Sequence, residues 1–413
     1  MFFECLQILQ IDYNGGMRCL GMENDVINPT KNRIESLDAV RGFSLLGILI
    51  VNLLSFHAPH FMYGGGEGSY SASDERWLAF IDMFIQASFY PLFSLMFGIG
   101  LYMMYEKMDS DKSKTVIRRR MFVLAGLGIV HGITLWYGDI LLTYAVIGLV
   151  AILFIKHKES TLKIWAFSLL VIPTALVTWL YYGVRTQLEG YRDTESIRQS
   201  YENFTGSISD IWQQNFSNWL VMVSPMQWIF TFSSILPMFI LGMIFAKRGW
   251  HKNPKDHLSA IYLWMGVSFF LFITFKIGPY FFGMPEWFDL AQDLIGGSFS
   301  SIFYFFALLI FFTSDWSKII KKLLAWVGKL SLTNYVMQSA ICFFVFYGVG
   351  LEQYGQLQMY ELILIALLIY SFQILFSYLY LKIFRFGPLE WVYRSLTYGK
   401  TQPFLKGGKS HEV

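Results

Sequence analysis

Charge is scarce in this 413-residue chain: only 15% of its residues are Asp, Glu, Lys or Arg, against about 25% in a soluble globular domain. That scarcity excludes a disordered chain and a coiled coil, and argues against ordinary soluble domains. Cysteine is nearly absent. Cys5, Cys19 and Cys342 lie far apart and form no CxxC pair, so no disulfide framework and no metal site is expected. Cys342 sits in an apolar run and reads as a small core residue. The net charge of +3 gives a nucleic-acid partner no electrostatic support. What the chain does have is apolar bulk: 55% hydrophobic residues, 19% aromatics and 40 Phe.

That bulk is arranged in ten runs, at 38–56, 77–104, 121–138, 139–156, 161–183, 219–246, 258–275, 298–313, 326–349 and 360–382. Several approach the roughly 20 residues that a membrane helix needs. The fold class expected is all-α: a polytopic membrane bundle of about ten transmembrane helices. The second and sixth runs are long and contain Pro91 and Pro237, so a kink or a strong tilt is expected there. Only Tyr137-Gly138-Asp139 separates the third and fourth runs, which implies a tight helical hairpin. Assigning alternate loops to opposite sides puts 27 of the 32 Lys and Arg on one side. Arg76, Arg185, Arg192, Arg198 and Lys276 fall on the other. The positive-inside rule then places both termini in the cytoplasm and the protein in the cell membrane.

Residues 33–400 read as a single transmembrane domain, preceded by an extension over 1–32 and followed by a cytoplasmic tail over 401–413. The extension has no basic n-region or cleavage site, and Met17 and Met22 are alternative starts. The stretch 184–218 mixes Tyr, Arg, Glu and Trp, as an interfacial helix or lid would. Asn203-Phe204-Thr205 and Asn215-Phe216-Ser217 within it match the glycosylation pattern.

Ionisable and polar groups inside a bilayer are costly, so their places are informative. Asp38 and Arg41 are three apart at the start of the first run and can pair on one helix face; Ser36 is a candidate cap. Such a pair is more often a helix cap with a topogenic arginine than part of a site. Asn52 lies inside the same run and His57 ends it, with His60 in the following loop. A histidine at a helix end is usually an interfacial group. Asp139, in the third-to-fourth turn, falls on the same side as His57 and can orient it, although capping the fourth helix is the commoner role. His131, two turns deeper, reads as an interhelical hydrogen-bonding residue. Arg118, Arg119 and Arg120 open the third run and suit either lipid phosphates or an anionic cofactor. Asn334 and Gln338, along the ninth run, are interhelical glue or cavity lining. The run Gly64-Gly65-Gly66-Glu67-Gly68 is a flexible outer loop, not a phosphate cradle.

Four segments carry a family resemblance. They are Leu37-Asp38-Ala39-Val40-Arg41-Gly42-Phe43; Trp136-Tyr137-Gly138-Asp139-Ile140-Leu141 with Tyr144-Ala145; Gly328-Lys329-Leu330-Ser331-Leu332-Thr333-Asn334-Tyr335 with Gln338-Ser339; and Gly387-Pro388-Leu389-Glu390-Trp391 with Arg394 and Thr397-Tyr398. In this order they resemble the YeiB-like membrane proteins, a family of unknown function, over roughly 33–400. The opening Leu-Asp-x-x-Arg-Gly, with His57-Ala58-Pro59, is more distantly similar to heparan-alpha-glucosaminide N-acetyltransferase. The same opening is similar to that of the acyltransferase-three membrane enzymes. In those families a histidine at the outer part of the first helix is implicated in acyl transfer, with acyl-CoA supplied from the cytoplasm.

The resemblance implies a membrane acyltransferase using acyl-CoA, acetyl-CoA being the simplest form, and an outer-face hydroxyl or amine acceptor on a glycan, lipid or small molecule. His57 is expected as general base, oriented by Asp139, with Arg118 to Arg120 near the CoA phosphates. Asp38, Arg41, Asn52, His131, Asn334 and Gln338 are expected as supports. Membrane lipids are the surrounding partners, and a homodimer is compatible. A transporter, or a member without catalysis, is the alternative.

Overall fold

The computed structural model describes residues 34–65, 71–108, 110–188 and 190–406. The extension 1–32 with its alternative starts, the Gly66–Gly68 part of the glycine loop, and 407–413 of the tail lie outside the described residues. Every element below belongs to the unit Glu35–Val413.

The chain is built from α-helices: α1 Glu35–His57, α2 Ala72–Phe84, α3 Phe89–Glu106, α4 Ser110–Thr134, α5 Leu141–Ala151, α6 Glu159–Gly183, α7 Arg185–Leu188, α8 Thr194–Phe204 and α9 Ile208–Met222. They continue as α10 Pro225–Lys247, α11 Leu258–Phe272, α12 Asp289–Ala291, α13 Gly297–Phe311, α14 Lys318–Lys329, α15 Ser331–Phe346, α16 Met359–Ile383 and α17 Pro388–Tyr398. No strand forms among the described residues beyond one isolated bridge, Phe384 to Leu405. Through that bridge and the Arg385 N–H to Phe404 carbonyl bond of 2.9 Å, residues 401–406 fold back onto the end of α16.

Seven segments are long and apolar enough to cross a membrane: Glu35–His57, Ala72–Glu106, Glu159–Gly183, Pro225–Lys247, Pro254–Phe282, Glu286–Phe311 and Met359–Ile383. The shorter apolar helices α5 and α15 occupy two further runs. The molecule is thus an all-α membrane bundle. Trp179 on α6, Phe270 on α11 and Leu368 on α16 are each 68–70% exposed, as suits helices that face lipid.

The two longest runs divide where proline does not predict it. The second breaks at Ile85–Ser88, where Ala87 takes φ +54°. Pro91 sits in the first turn of α3, where the missing N–H would have had no helical partner. The sixth breaks at Val223–Ser224: the Ser224 side chain caps α10 and Pro225 occupies its first turn. Pro237 remains inside α10. The hairpin of α4 and α5 is looser than the sequence suggests, with residues 135–140 between the helices.

α1 is the central element, packing on α3, α14, α15 and α16. Its crossing with α14 is backbone-close, because Gly42 faces the Leu324 carbonyl and Gly328 faces the Asp38 carbonyl. Small residues at such crossings let helices approach when no hydrophobic force separates lipid from protein contacts. Asp38, 1% exposed, accepts from the Arg41 Nη1 at 3.2 Å, so the expected pair forms. Ser36 is not the cap, since α1 already begins at Glu35.

Candidate active site

His131 lies near the end of α4, and Asp139 lies in the connector that leads into α5. Asp139 Oδ2 accepts the Leu142 N–H at 2.8 Å, which satisfies an open amide of the first turn of α5. Its other oxygen, Oδ1, is 2.9 Å from His131 Nδ1, and the two side chains are only 1% and 2% exposed. His131 Nε2 is 2.8 Å from the Ser339 Oγ of α15. A carboxylate oxygen can only accept from this ring, so Nδ1 carries a proton; in the neutral imidazole Nε2 then accepts from the serine hydroxyl. The result is a buried carboxylate–imidazole–hydroxyl chain.

Neighbouring groups hold that chain in place. Asn215 of α9 accepts the Tyr137 N–H at 2.6 Å. Its amide donates to the carbonyls of Gly132 at 2.7 Å and Ile133 at 2.8 Å. One side chain therefore ties the middle of the α4–α5 connector to the last turn of α4. Asn215 is 1% exposed, so the glycosylation match there falls on a buried, hydrogen-bonded amide. Asn203, in the other match, donates to Gln214 at 2.8 Å. The Tyr335 ring packs 5.1 Å from the His131 ring. A cavity of about 110 Å³ is lined by Asn52, Tyr90, Gly138, Ile140 and Tyr335 among others. It thus abuts both neighbours of Asp139 and lies one turn from Ser339.

His57 is 6% exposed and does not pair with Asp139. Its Nε2 accepts the Leu357 N–H at 3.1 Å, and its backbone carbonyl accepts from Gly355 at 2.8 Å. The loop before α16 thereby clamps the end of α1. That bond uses the Nε2 lone pair and leaves the proton on Nδ1, which is buried with no partner among the described residues. His57 is held as an acceptor by the loop before α16, whereas Asp139 faces His131, eight residues earlier in the chain.

The remaining expectations sort by contact. Arg118 and Arg119 are exposed, while Arg120 is half-buried. Arg120 Nε donates to the Tyr393 hydroxyl at 2.9 Å and its guanidinium lies 5.0 Å from that ring. Arg120 therefore ties α4 to α17. Asn334 donates to Ser377 at 2.9 Å and to the Val327 carbonyl at 3.0 Å. Gln338 donates to Gln373 at 2.9 Å, which in turn donates to the Asn334 carbonyl at 2.7 Å. These two residues are interhelical ties between α15 and α16. Asn52 faces the small cavity. Glu390 of α17 holds the start of α15, accepting the Leu332 N–H at 2.7 Å and the Thr333 N–H at 3.1 Å. Burial pushes its carboxyl up from the usual range. Glu390→Ala would leave those amides open; the expected loss is about 1–3 kcal/mol, read as a lower melting temperature in detergent.

Nothing in the sequence alone assigns Ser339 a role or joins His131 to Asp139. The available signal was the interval of eight residues across a helix end. Lys276, expected in an outer loop, is wholly buried, 2.6 Å from Asp293 and 3.4 Å from Asp82.

Bundle and buried polar chain define a class: an all-α membrane-spanning protein with an interior acid–imidazole–hydroxyl array. Residues 245–400 match the family described as "Protein of unknown function (DUF418)". The uncharacterized protein YxaH of Bacillus subtilis is 31% identical over 92% of this chain and 98% of its own length. The uncharacterized protein YeiB of Escherichia coli is 27% identical over 90% and 97%. The chain belongs to this YeiB-like, DUF418-containing family.

Proposed function

We propose that the protein is an acyltransferase of the cell membrane, with Asp139, His131 and Ser339 as its acyl-transfer relay. The observation that carries this reading is the polarity of the relay. The carboxylate fixes the imidazole tautomer, and the free ring nitrogen meets a hydroxyl at 2.8 Å, the arrangement that activates a serine toward carbonyl carbon. His57 lacks that polarity, so the base is His131.

In the first half-reaction the Ser339 hydroxyl gives its proton to His131 Nε2 as Oγ bonds to the thioester carbonyl carbon. The carbon–sulfur bond breaks, and the departing CoA thiolate takes the proton from the imidazolium. In the second, His131 accepts the proton of an acceptor hydroxyl or amine as that group attacks the acyl-serine. Ser339 leaves and regains the proton. Asp139 stabilises the imidazolium in both steps. Acyl-CoA, with acetyl-CoA the simplest donor, would enter from the cytoplasm. Arg119 is twelve residues from His131 on α4, ~18 Å along the helix, a distance the pantetheine arm of CoA covers. The charge distribution supports that direction of entry, with both termini cytoplasmic and about ten spans.

Purified protein in nonionic detergent tests the reading. The expected result is turnover of acetyl-CoA, faster with an acceptor, and an acylated Ser339 detectable by peptide mass spectrometry. A well-folded protein that neither binds nor turns over any acyl-CoA, yet passes a solute across proteoliposomes without a donor, is a transporter instead. Substituting Arg118 and Arg119 together by Gln is expected to raise the KM for acyl-CoA by roughly three- to tenfold, since each exposed charge contributes up to about 1 kcal/mol. The melting temperature should not move, because neither side chain is buried.

A further inference from the structure

A second, larger cavity lies on the other side of the α2–α3 break. It has a volume of about 350 Å³, within the usual size of small-molecule sites. Asp82, Glu75, Gln86 and Tyr280 supply its polar lining, and Leu54 and Leu78 its apolar walls. Behind Asp82 sits a buried ionic group. Lys276, 0% exposed, is 2.6 Å from Asp293 and 3.4 Å from Asp82. Asp82 Oδ2 also accepts the Tyr280 hydroxyl at 2.8 Å, and Asp293 Oδ2 accepts from Gln86 at 3.1 Å. Gln86 thus joins the cavity wall to the ionic group.

The local backbone departs from regular helix where these residues sit. Lys276 lies in a π-helical turn, Ile273–Ile277, and Asp293 in another, Gln292–Gly296. Single π-turns inside helices frequently mark functional sites. Met284, a further lining residue, takes φ +52°, a conformation that costs a non-glycine residue energy.

We propose that this cavity binds an organic ammonium ion. The sign follows from the lining: it holds two carboxylates, and the only other titratable lining side chains are His60 and Tyr280. Burial, reinforced by neighbouring His57, holds His60 down at about 4, so it is neutral at physiological pH. The single lysine is occluded by its own two aspartates and leaves that group one negative charge in excess. Glu75 is exposed, and its carboxylate has no hydrogen bond or ion pair among the described residues. The class of ligand follows from the walls. A bare metal ion needs several converging oxygen or nitrogen ligands, and no such group of His, Cys, Asp or Glu exists among the described residues. A cation with an apolar body uses both the carboxylates and the Leu54–Leu78 wall. This site stands apart from acyl transfer and does not depend on it.

Calorimetric titration of the full-length protein in nonionic detergent tests the proposal, with propylammonium and choline as probes and propionate at equal ionic strength as control. Saturable binding of the cations alone is expected. Glu75→Gln, at an exposed position, should weaken it roughly fivefold. The double variant Asp82→Asn/Lys276→Met keeps the net charge of the buried group and should abolish binding while still giving a cooperative melt. If that variant does not fold, Glu75→Gln decides alone. In nanodiscs, competition by phosphatidylethanolamine against phosphatidylglycerol identifies a lipid headgroup as the source, and its absence a soluble amine. Equal binding of propylammonium and propionate, no saturable binding of either cation, or unchanged affinity in Glu75→Gln overturns the proposal.

Discussion

Gly328→Val is expected to leave little folded protein. A Cβ at that position points into the Asp38 carbonyl, with the Gly42 amide next to it. Both obstacles are backbone of α1, so no side-chain rotation relieves them. α14 would have to withdraw from α1, and α1 also carries contacts to α3, α15 and α16. Ordinary overpacking costs about 1–3 kcal/mol; a backbone obstacle at the central crossing should exceed that. Fluorescence-detected size-exclusion of the solubilised variant reads the effect as loss of the monodisperse peak. Gly126, with open space around its Cβ position, is the control: Gly126→Ala should keep the wild-type profile.

Lys276→Met is the second large effect. It removes the cation from two partly buried carboxylates, and breaking a buried pair this way costs about 3–5 kcal/mol. The loss should appear as a lower melting temperature at neutral pH. Adding Asp293→Asn removes the closest unpaired charge, so the double variant should recover part of the loss. Equal melting temperatures for Lys276→Met and wild type would mean that the pair contributes nothing to the bundle.

Much of the fold was legible in the sequence because hydropathy is a local property. Each apolar run holds a helix, and the Asp38–Arg41 pair follows from helical spacing alone. The helix breaks at 85–88 and 223–224 lie away from the residues where proline draws attention, Pro91 and Pro237. The sequence signals that matter are a serine directly before Pro225, and a strained Ala87 that has no sequence signature. The site was half legible. Asp139 was found by its cost inside the bilayer, but its partner depended on which of two histidines the α4–α5 connector turns toward. That choice is made by Asn215, some 76 residues further along the chain, and by Ser339 on α15. Lys276 escapes for the same reason: loop counting sees a charge near a span end, whereas its aspartates lie 17 and 194 residues away in the chain.

The most direct measurement compares acetyl-CoA turnover by wild type, His131→Gln and His57→Gln, each purified and checked for a cooperative melt. Loss of a general base typically lowers the rate about 10²- to 10⁴-fold, and that loss is expected in His131→Gln. His57→Gln should retain turnover within a fewfold of wild type, since the lost Leu357 bond loosens a loop and not the relay. Full activity in His131→Gln with loss in His57→Gln would contradict the account and return the chemistry to the end of α1.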